Sequence, residues 1–372
     1  MTAFRVLKPN HGVNDWYALK LAHELRVLPK SRAQKNKYIE HICKAIYDLL
    51  VTTKLKRPNG CLPPITIDHV VDEPELIREI ARNNGPYFMP ARYLIGGETA
   101  ADARKREQKV IKDAPSYLIG PTWRGDWAFD GEVIVEEAEF LLHHETFLKS
   151  ARTLFKSDIV IPEQVFVNLS TPMKAQPFSH VDIPEFRGVN RNNAPGWFLQ
   201  AMGSSQLFED VRISIVTAVS WFHQGERGFF RYWPYGRENE SVRHENMWNS
   251  AVVGDNDFMH HLVERNGQKG AALPEGMSIN TELIHDGASW KILEQGEELS
   301  SYSDLDVRLS LSWKAKVYAD NQTYRDSTNG VGDIDISEAI ERFNQELGSN
   351  FNELDDDDLR QELSQRWSGY IA

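Results

Sequence analysis

The spacing of apolar positions along the chain changes near residue 159. Before that point it is helical. Residues 14–27 place Trp16, Leu19, Leu21, Ala22 and Leu25 on one stripe, and residues 33–55 do the same with Tyr38, Ile39, Ile42, Ala45, Ile46, Leu49 and Leu50. Such stripes face a core by default. Weaker helical patterns cover 73–82 and 100–111. A stronger one runs unbroken over 136–156, carried by Leu141, Leu142, Phe147, Leu148 and Leu154. From 159 to 319 the pattern becomes short β-branched and aromatic runs cut by Gly, Pro and Asn. These are 164–169, 211–223, 228–235, 250–253, 258–263, 277–284, 289–293 and 307–318, with room for a short helix within 188–203. Many short strands at close spacing predict an all-β sandwich or barrel. Beyond 319 the chain is polar, and 336–347 and 355–367 read as two closing helices. The second opens on the acidic run 355–358, which suits a helix N-terminus. The expected class is α+β: a mainly helical region over 1–158 packing on a β core over 159–319, then a helical extension over 320–372.

Composition narrows the partners. The chain has 372 residues, 41% hydrophobic and 26% charged, an ordinary globular mixture. Its net charge of −12 repels phosphate backbones and anionic lipid, and no Lys/Arg run stands out. Nucleic acid and membrane surfaces are therefore excluded as expected partners. No stretch reaches the length of a membrane span. Residues 1–10 lack the apolar run of a signal peptide. The two cysteines, Cys43 and Cys61, form no CxxC or zinc-ligand spacing and read as reduced structural thiols. The expected location is cytoplasmic. The adjacent pair His143-His144 falls on a helical pattern, where neighbours point about 100° apart, so it does not read as a two-ligand metal site.

Chemistry gathers in the β-rich region. In the run 177–184, His180 and Asp182 are two apart, so on a strand both point to one side. An imidazole and a carboxylate facing one ion are two thirds of a 2-His-1-carboxylate triad, the set that holds Fe(II) and leaves positions open. Alone, an HxD is weak, because a chain of this composition holds about one by chance. A third ligand must come from a later strand. The run 249–264 reads as strand, tight turn and strand, with His260 and His261 on the second strand and facing opposite ways. His261 shares its face with Met259 and Val263, and the turn before it favours it. His285, just after the run 277–284, and His260 are the competitors. Further on, Arg308 and Ser310 share a strand face. A guanidinium beside a hydroxyl suits the far end of a dicarboxylate, since Arg can grip a carboxylate through two parallel hydrogen bonds.

At these residues the sequence resembles the Fe(II)/2-oxoglutarate-dependent oxygenases, whose core is a double-stranded β-helix (jelly roll, cupin-like). HVD at 180–182, the distal histidine at 261 and RLS at 308–310 carry the resemblance, which covers about 159–319. It implies Fe(II) held by His180, Asp182 and the distal histidine, with 2-oxoglutarate held at its far carboxylate by Arg308 and Ser310. It also implies O2 as co-substrate and a small organic substrate that is hydroxylated, desaturated or cyclised, with release of succinate and CO2. The chain departs from the pattern in one respect: Arg308 stands well beyond His261, so a long insertion must lie between them. Arg187 follows the HVD motif closely enough to reach a substrate carboxylate, with a loop salt bridge as the plainer reading. Trp221 and Arg231 are further substrate candidates, with core or rim packing as theirs. The reading from another class is a cupin-like barrel that binds a metal or small ligand without redox turnover.

Overall fold

The computed structural model describes residues 61–90, 120–172, 179–267, 273–353 and 357–367. The chain divides after Asn59, and all described residues belong to the second unit, Gly60–Ala372. The helical patterns expected at 14–27, 33–55 and 100–111, and Cys43, lie outside the described residues.

In chain order the elements begin with strand β1 (Ile65–Ile67), helix α1 (Pro74–Asn83), β2 (Tyr87–Phe88), β3 (Thr122–Phe129) and β4 (Glu132–Val133). A 3-10 turn (Glu136–Ala138) leads into α2 (Glu139–Leu142) and α3 (Glu145–Phe155). Then come β5 (Ile159–Ser170), β6 (Glu185–Phe186), α4 (Gly196–Ser205), β7 (Arg212–Phe222), β8 (Phe230–Trp233), β9 (Val242–His244), β10 (Trp248–Gly254) and β11 (His260–Val263). The last are β12 (Glu282–His285), β13 (Trp290–Glu294), β14 (Glu297–Tyr302), β15 (Arg308–Tyr318), α5 (Asn321–Thr328), α6 (Ile336–Leu347) and α7 (Asp357–Trp367).

Two antiparallel sheets organise the core. The larger runs β1-β10-β7-β15-β5-β3-β2-β12-β13-β14, and the smaller runs β11-β8-β9. A bridge between His180 and His261 adds the 180 segment beside β11. From β5 the chain therefore alternates between sheets: β5, the 180 segment, β7, then β8 and β9, β10, β11 and β15. Each sheet holds four such neighbours, β10-β7-β15-β5 against β9-β8-β11 and the 180 segment. This winding is that of a double-stranded β-helix. Val219, Trp221 and Val252 of the larger sheet meet Phe230 and Tyr232 of the smaller one in a buried cluster between them.

Strand β15 shows why the core forms as it does. Leu309, Leu311, Trp313, Ala315 and Val317 point outward and bury against a layer that includes Ile77 and Ile80 of α1, Leu141 of α2 and Phe147 and Ala151 of α3. The alternate residues, Arg308, Ser310, Ser312, Lys314 and Lys316, fall on the interior face by the period-two rule. Nearly the whole strand is buried because both faces are covered. A polar stripe inside a barrel is costly to bury unless it is partnered, so the stripe marks where ligands and buried ion pairs belong.

Three local expectations change. Two strands of the larger sheet, β1 and β3, come before residue 159, and β3 pairs along β5. Periodicity missed β3 because Gly125 and Asp126 interrupt its alternation and a register shift follows between Asp126 and Ala128. Gly125 is required there, since a Cβ would lie 2.6 Å from the Tyr87 ring. The helix expected over 136–156 breaks at His143–His144. The buried Trp313 indole Nε1 donates to the Leu142 carbonyl at 2.8 Å, taking an acceptor at the end of α2. Strands β9 and β14 and helix α5 were not expected. The long insertion between His261 and Arg308 is real and contains β12, β13 and β14, which extend the larger sheet through β2.

The connection after Asp182 is long and makes its own core. Phe186, Phe198, Leu199, Met202 and Phe208 pack with Ile340 and Phe343 of α6 and Leu359 and Leu363 of α7. The C-terminal helices thus hold the segment that leaves the HVD motif. Helix α6 starts where expected, because the Asp335 side chain caps it by accepting from the Glu338 N–H. No helix among the described residues is long and apolar enough to cross a membrane.

Candidate metal centre

His180 and His261 face each other as an antiparallel pair. Each backbone N–H donates to the other's carbonyl at 2.9 Å, and the ring centroids are 4.4 Å apart. Two residues on, the Asp182 N–H donates to the Asn256 carbonyl at 2.8 Å, which pins the carboxylate beside the turn joining β10 to β11. That turn is held in its own right. The Asp255 carboxylate accepts from the Leu62 N–H, and Asp257 pairs with Arg212 at 3.0 Å. His180, Asp182 and His261 each offer one ligand atom, and these atoms lie within 4.8 Å of one another.

The hydrogen bonds around the three select their states. His261 Nδ1 sits 2.8 Å from the Met259 carbonyl, which can only accept, so this nitrogen carries the proton. The lone pair of Nε2 is left facing Asp182 Oδ1 at 3.7 Å. Fixing a ligand's tautomer through its other nitrogen is how histidines are oriented on metals. Burial, then the neighbouring His180, push the His261 imidazole down to about 4, so it is neutral near pH 7, as a ligand must be. Asp182 is held through its other oxygen. Lys314 Nζ is 2.5 Å from Oδ2, and Thr217 Oγ1 donates to the same atom at 3.4 Å. Burial alone would push the Asp182 carboxyl up. The charge of Lys314 above all, with the two histidines behind it, keeps it well below the usual carboxylate range. Two imidazole nitrogens and one ionised carboxylate oxygen are a donor set that fits a divalent transition metal and leaves positions open.

A second feature lies deeper between the sheets. Arg308 is 1% exposed. Its Nε donates to the Gly228 carbonyl at 2.7 Å and Nη1 donates to Ser310 Oγ at 3.1 Å, while Nη2 has no partner among the described residues. Burial pushes this guanidinium down to about 9, and no carboxylate offsets it. His223 is buried nearby and is itself pushed down to about 4 by burial and by the charge of Arg308. A buried cation with a spare donor and no counter-charge is expensive unless an anion joins it. Aromatic side chains link this feature to the histidines. Ser310 pairs with Trp221 across the strands, the Trp221 ring is 5.1 Å from Phe230, and Phe230 is 5.6 Å from His261.

The other expected site residues fall elsewhere. His260 is on the opposite face of β11 and is not among the three. His285 lies in the inserted sheet with its ring edge on Trp290 at 5.1 Å. Arg187 donates to the carbonyls of Val331 and Asp210 rather than to a carboxylate. Arg231 is paired with Glu264 at 2.8 Å and donates to Ser241, drawing it toward β9 rather than toward His180, Asp182 and His261. Trp221 is fully buried between the sheets, between Phe230 and His244. Sequence reasoning missed Thr217, Gly228 and Lys314. Lys314 was accessible to it, since it continues the Arg308–Ser310 alternation on β15. Thr217 and Gly228 carried no signal, because their roles depend on which strands and loops become neighbours.

No family model matches the chain, and no curated protein matches it. Solved structures do. The chain is similar to a Pseudomonas putida prolyl-4-hydroxylase at 14% identity, covering 74% of this chain and 98% of that one with a TM-score of 0.34. It is similar to a Trichoplax adhaerens prolyl hydroxylase, solved with a hypoxia inducible factor peptide fragment, at 11% identity over 81% and 97% of the two chains with a TM-score of 0.38. It is also similar to HygX from Streptomyces hygroscopicus, solved with nickel, 2-oxoglutarate and hygromycin B. There the identity is 11% over 74% and 86% of the two chains, and the TM-score is 0.35.

Proposed function

We propose that the chain is an Fe(II)- and 2-oxoglutarate-dependent oxygenase of a small organic molecule, with His180, Asp182 and His261 as the metal ligands and Arg308 and Ser310 as the anchor for the 2-oxoglutarate far carboxylate. The observation that carries this reading is the pairing of a two-histidine, one-carboxylate cluster with a buried guanidinium that lacks an anion, both in the interior of one double-stranded β-helix. A barrel that only bound a metal would have no use for the uncompensated charge of Arg308. The overall reaction inserts one oxygen atom of O2 into a C–H bond and the other into succinate, with loss of CO2 from 2-oxoglutarate. Bound Fe(II) would supply the redox chemistry that activates O2, which no side chain can do.

The chain's own residues have definite tasks in this reading. Met259 fixes the His261 tautomer, and Lys314 and Thr217 hold one oxygen of Asp182 so that the other faces the metal position. Arg308 and Ser310 bind the co-substrate, and Trp221 and Phe230 line the apolar side of the space it spans between anchor and metal. Gly228 serves the anchor. It has φ +72°, and a Cβ would lie 2.7 Å from Arg308 Cδ. Gly228→Ala is therefore expected to displace the Arg308 side chain and raise the KM for 2-oxoglutarate about tenfold. It should also cost about 1–2 kcal/mol of stability from the left-handed backbone. An unchanged KM would show that Gly228 does not position the anchor.

The ligand choice is tested by separate His180→Ala, His261→Ala, His260→Ala and His285→Ala variants. Fe(II) affinity and succinate release should be lost in the first two and kept in the last two. Loss in His285→Ala with retention in His261→Ala would contradict the assignment.

A further inference from the structure

A cavity of about 80 Å³ opens beside β15. Lys314, which holds Asp182 Oδ2, forms part of its wall, together with Phe129, Glu163, Glu185, Arg191 and Lys316. Along β15 it lies beyond the Arg308 anchor by about 20 Å, at ~3.3 Å per residue. The cavity adjoins the metal cluster through the Lys314–Asp182 pair, at the end of β15 away from the 2-oxoglutarate anchor. Its volume is several times the ~10–15 Å³ that admits one water by the same kind of measure, so it suits a small molecule.

The charges on its walls do not cancel in pairs. Lys316 Nζ is 2.8 Å from Glu163 and 2.9 Å from Glu185, so two carboxylates share one ammonium. Burial pushes the Glu163 carboxyl up to about 7 against the pull of Lys316, and the charge of Glu185 adds to the rise. That corner is short of a cation. Arg191, also in the cavity wall, has the opposite deficit. Its Nη2 donates to the Ile183 carbonyl at 3.3 Å, and it forms no ion pair among the described residues. The nearby carboxylates are engaged, Asp182 by Lys314 and Asp126 by Arg124 at 2.8 Å. Burial pulls the Arg191 guanidinium below its ordinary value. One small cavity thus presents a site short of a cation and a guanidinium short of an anion.

We infer that this cavity is the substrate pocket and that it takes a free α-amino acid, with the ammonium at Glu163 and Glu185 and the carboxylate at Arg191. The inference rests on the oxygenase reading for the word substrate, but the binding claim can be tested without turnover. The pocket's two ends set the specificity. A deaminated acid leaves the shared carboxylates short of a cation, and a decarboxylated amine leaves Arg191 without its anion.

The test is ligand-observed NMR on the metal-free protein with a mixture of the proteinogenic L-amino acids, followed by affinity measurements on those that bind. Fe(II) and 2-oxoglutarate binding are measured in parallel. At least one amino acid should bind, and its N-acetyl and decarboxylated forms should bind at least tenfold more weakly. Glu163→Gln and Arg191→Gln should each weaken the amino acid at least tenfold, the first sparing the decarboxylated amine less than the second does. Both variants should retain 2-oxoglutarate binding, which shows that the fold survives. Wild-type protein that binds Fe(II) and 2-oxoglutarate but no amino acid would overturn the pocket assignment alone. So would equal binding of the N-acetyl or decarboxylated forms. Amino-acid binding without Fe(II) or 2-oxoglutarate binding would overturn the oxygenase reading and leave the pocket standing.

Discussion

Asp182→Ala is expected to abolish Fe(II) binding and succinate release together. The variant removes the one anionic ligand of the three, and its loss should exceed the 10–100-fold that outer-shell changes cost a metal site. It also has a structural consequence that a surface HxD would not have. Lys314 is left in the interior without its carboxylate, and breaking a buried pair by removing one partner costs on the order of 3–5 kcal/mol. Both partners are mostly enclosed, with side chains 11% and 20% exposed. The unfolding temperature of Asp182→Ala should therefore fall clearly. The double variant Asp182→Ala/Lys314→Met should recover much of that loss while still failing to bind Fe(II). Measuring metal affinity and thermal unfolding on the same three proteins separates the two roles. Retained Fe(II) binding in the double variant would remove Asp182 from the ligand set.

Arg308→Leu is expected to weaken 2-oxoglutarate by about 30-fold or more. Truncating one partner of a buried, hydrogen-bonded charge pair costs ~2–5 kcal/mol, and each 1.4 kcal/mol is about tenfold in affinity. The effect on the unliganded protein runs the other way. Arg308 is a buried guanidinium with a spare donor and no acid beside it. Replacing it by an apolar residue of similar reach should leave the unfolding temperature unchanged or slightly higher. Fe(II) affinity should stay near wild type, because Arg308 bonds to Gly228 and Ser310 and to none of His180, Asp182 and His261. Isothermal titration with 2-oxoglutarate and a thermal melt check both halves. Unaltered 2-oxoglutarate affinity would move the anchor to another basic residue.

Much of the candidate site was legible in sequence because strand periodicity is a local rule. The spacing of His180 and Asp182, the opposed directions of His260 and His261, and the Arg308–Ser310 stripe all follow from alternation along one short segment. So do the main strands β7, β10 and β15, and helix α6, whose Asp335 cap lies next to its apolar stripe. What was not legible depends on partners far away in the chain. Lys314 reads as one more strand residue until Asp182 is placed 2.5 Å from it. Gly228 reads as a turn glycine until Arg308 packs over it. Strand β3 hides its alternation behind Gly125 because the Tyr87 ring occupies the space a side chain would need. Arg187 looked well placed for a substrate by its closeness to the HVD motif in sequence. Its guanidinium is instead held by the backbone carbonyls of Val331 and Asp210, across a core that the C-terminal helices complete.

The central claim is that the three-residue cluster and the buried arginine act as one site for metal and 2-oxoglutarate. Anaerobic titration of the protein with Fe(II) and 2-oxoglutarate tests it most directly, read through the weak visible charge-transfer absorption of a 2-oxo acid chelating ferrous iron. The account predicts that the band appears only when both are present and saturates at one equivalent of each. It should be absent in Asp182→Ala/Lys314→Met and shifted to much higher 2-oxoglutarate concentration in Arg308→Leu. No band in the wild-type protein at saturating concentrations of both, or a band unaffected by either variant, would contradict it.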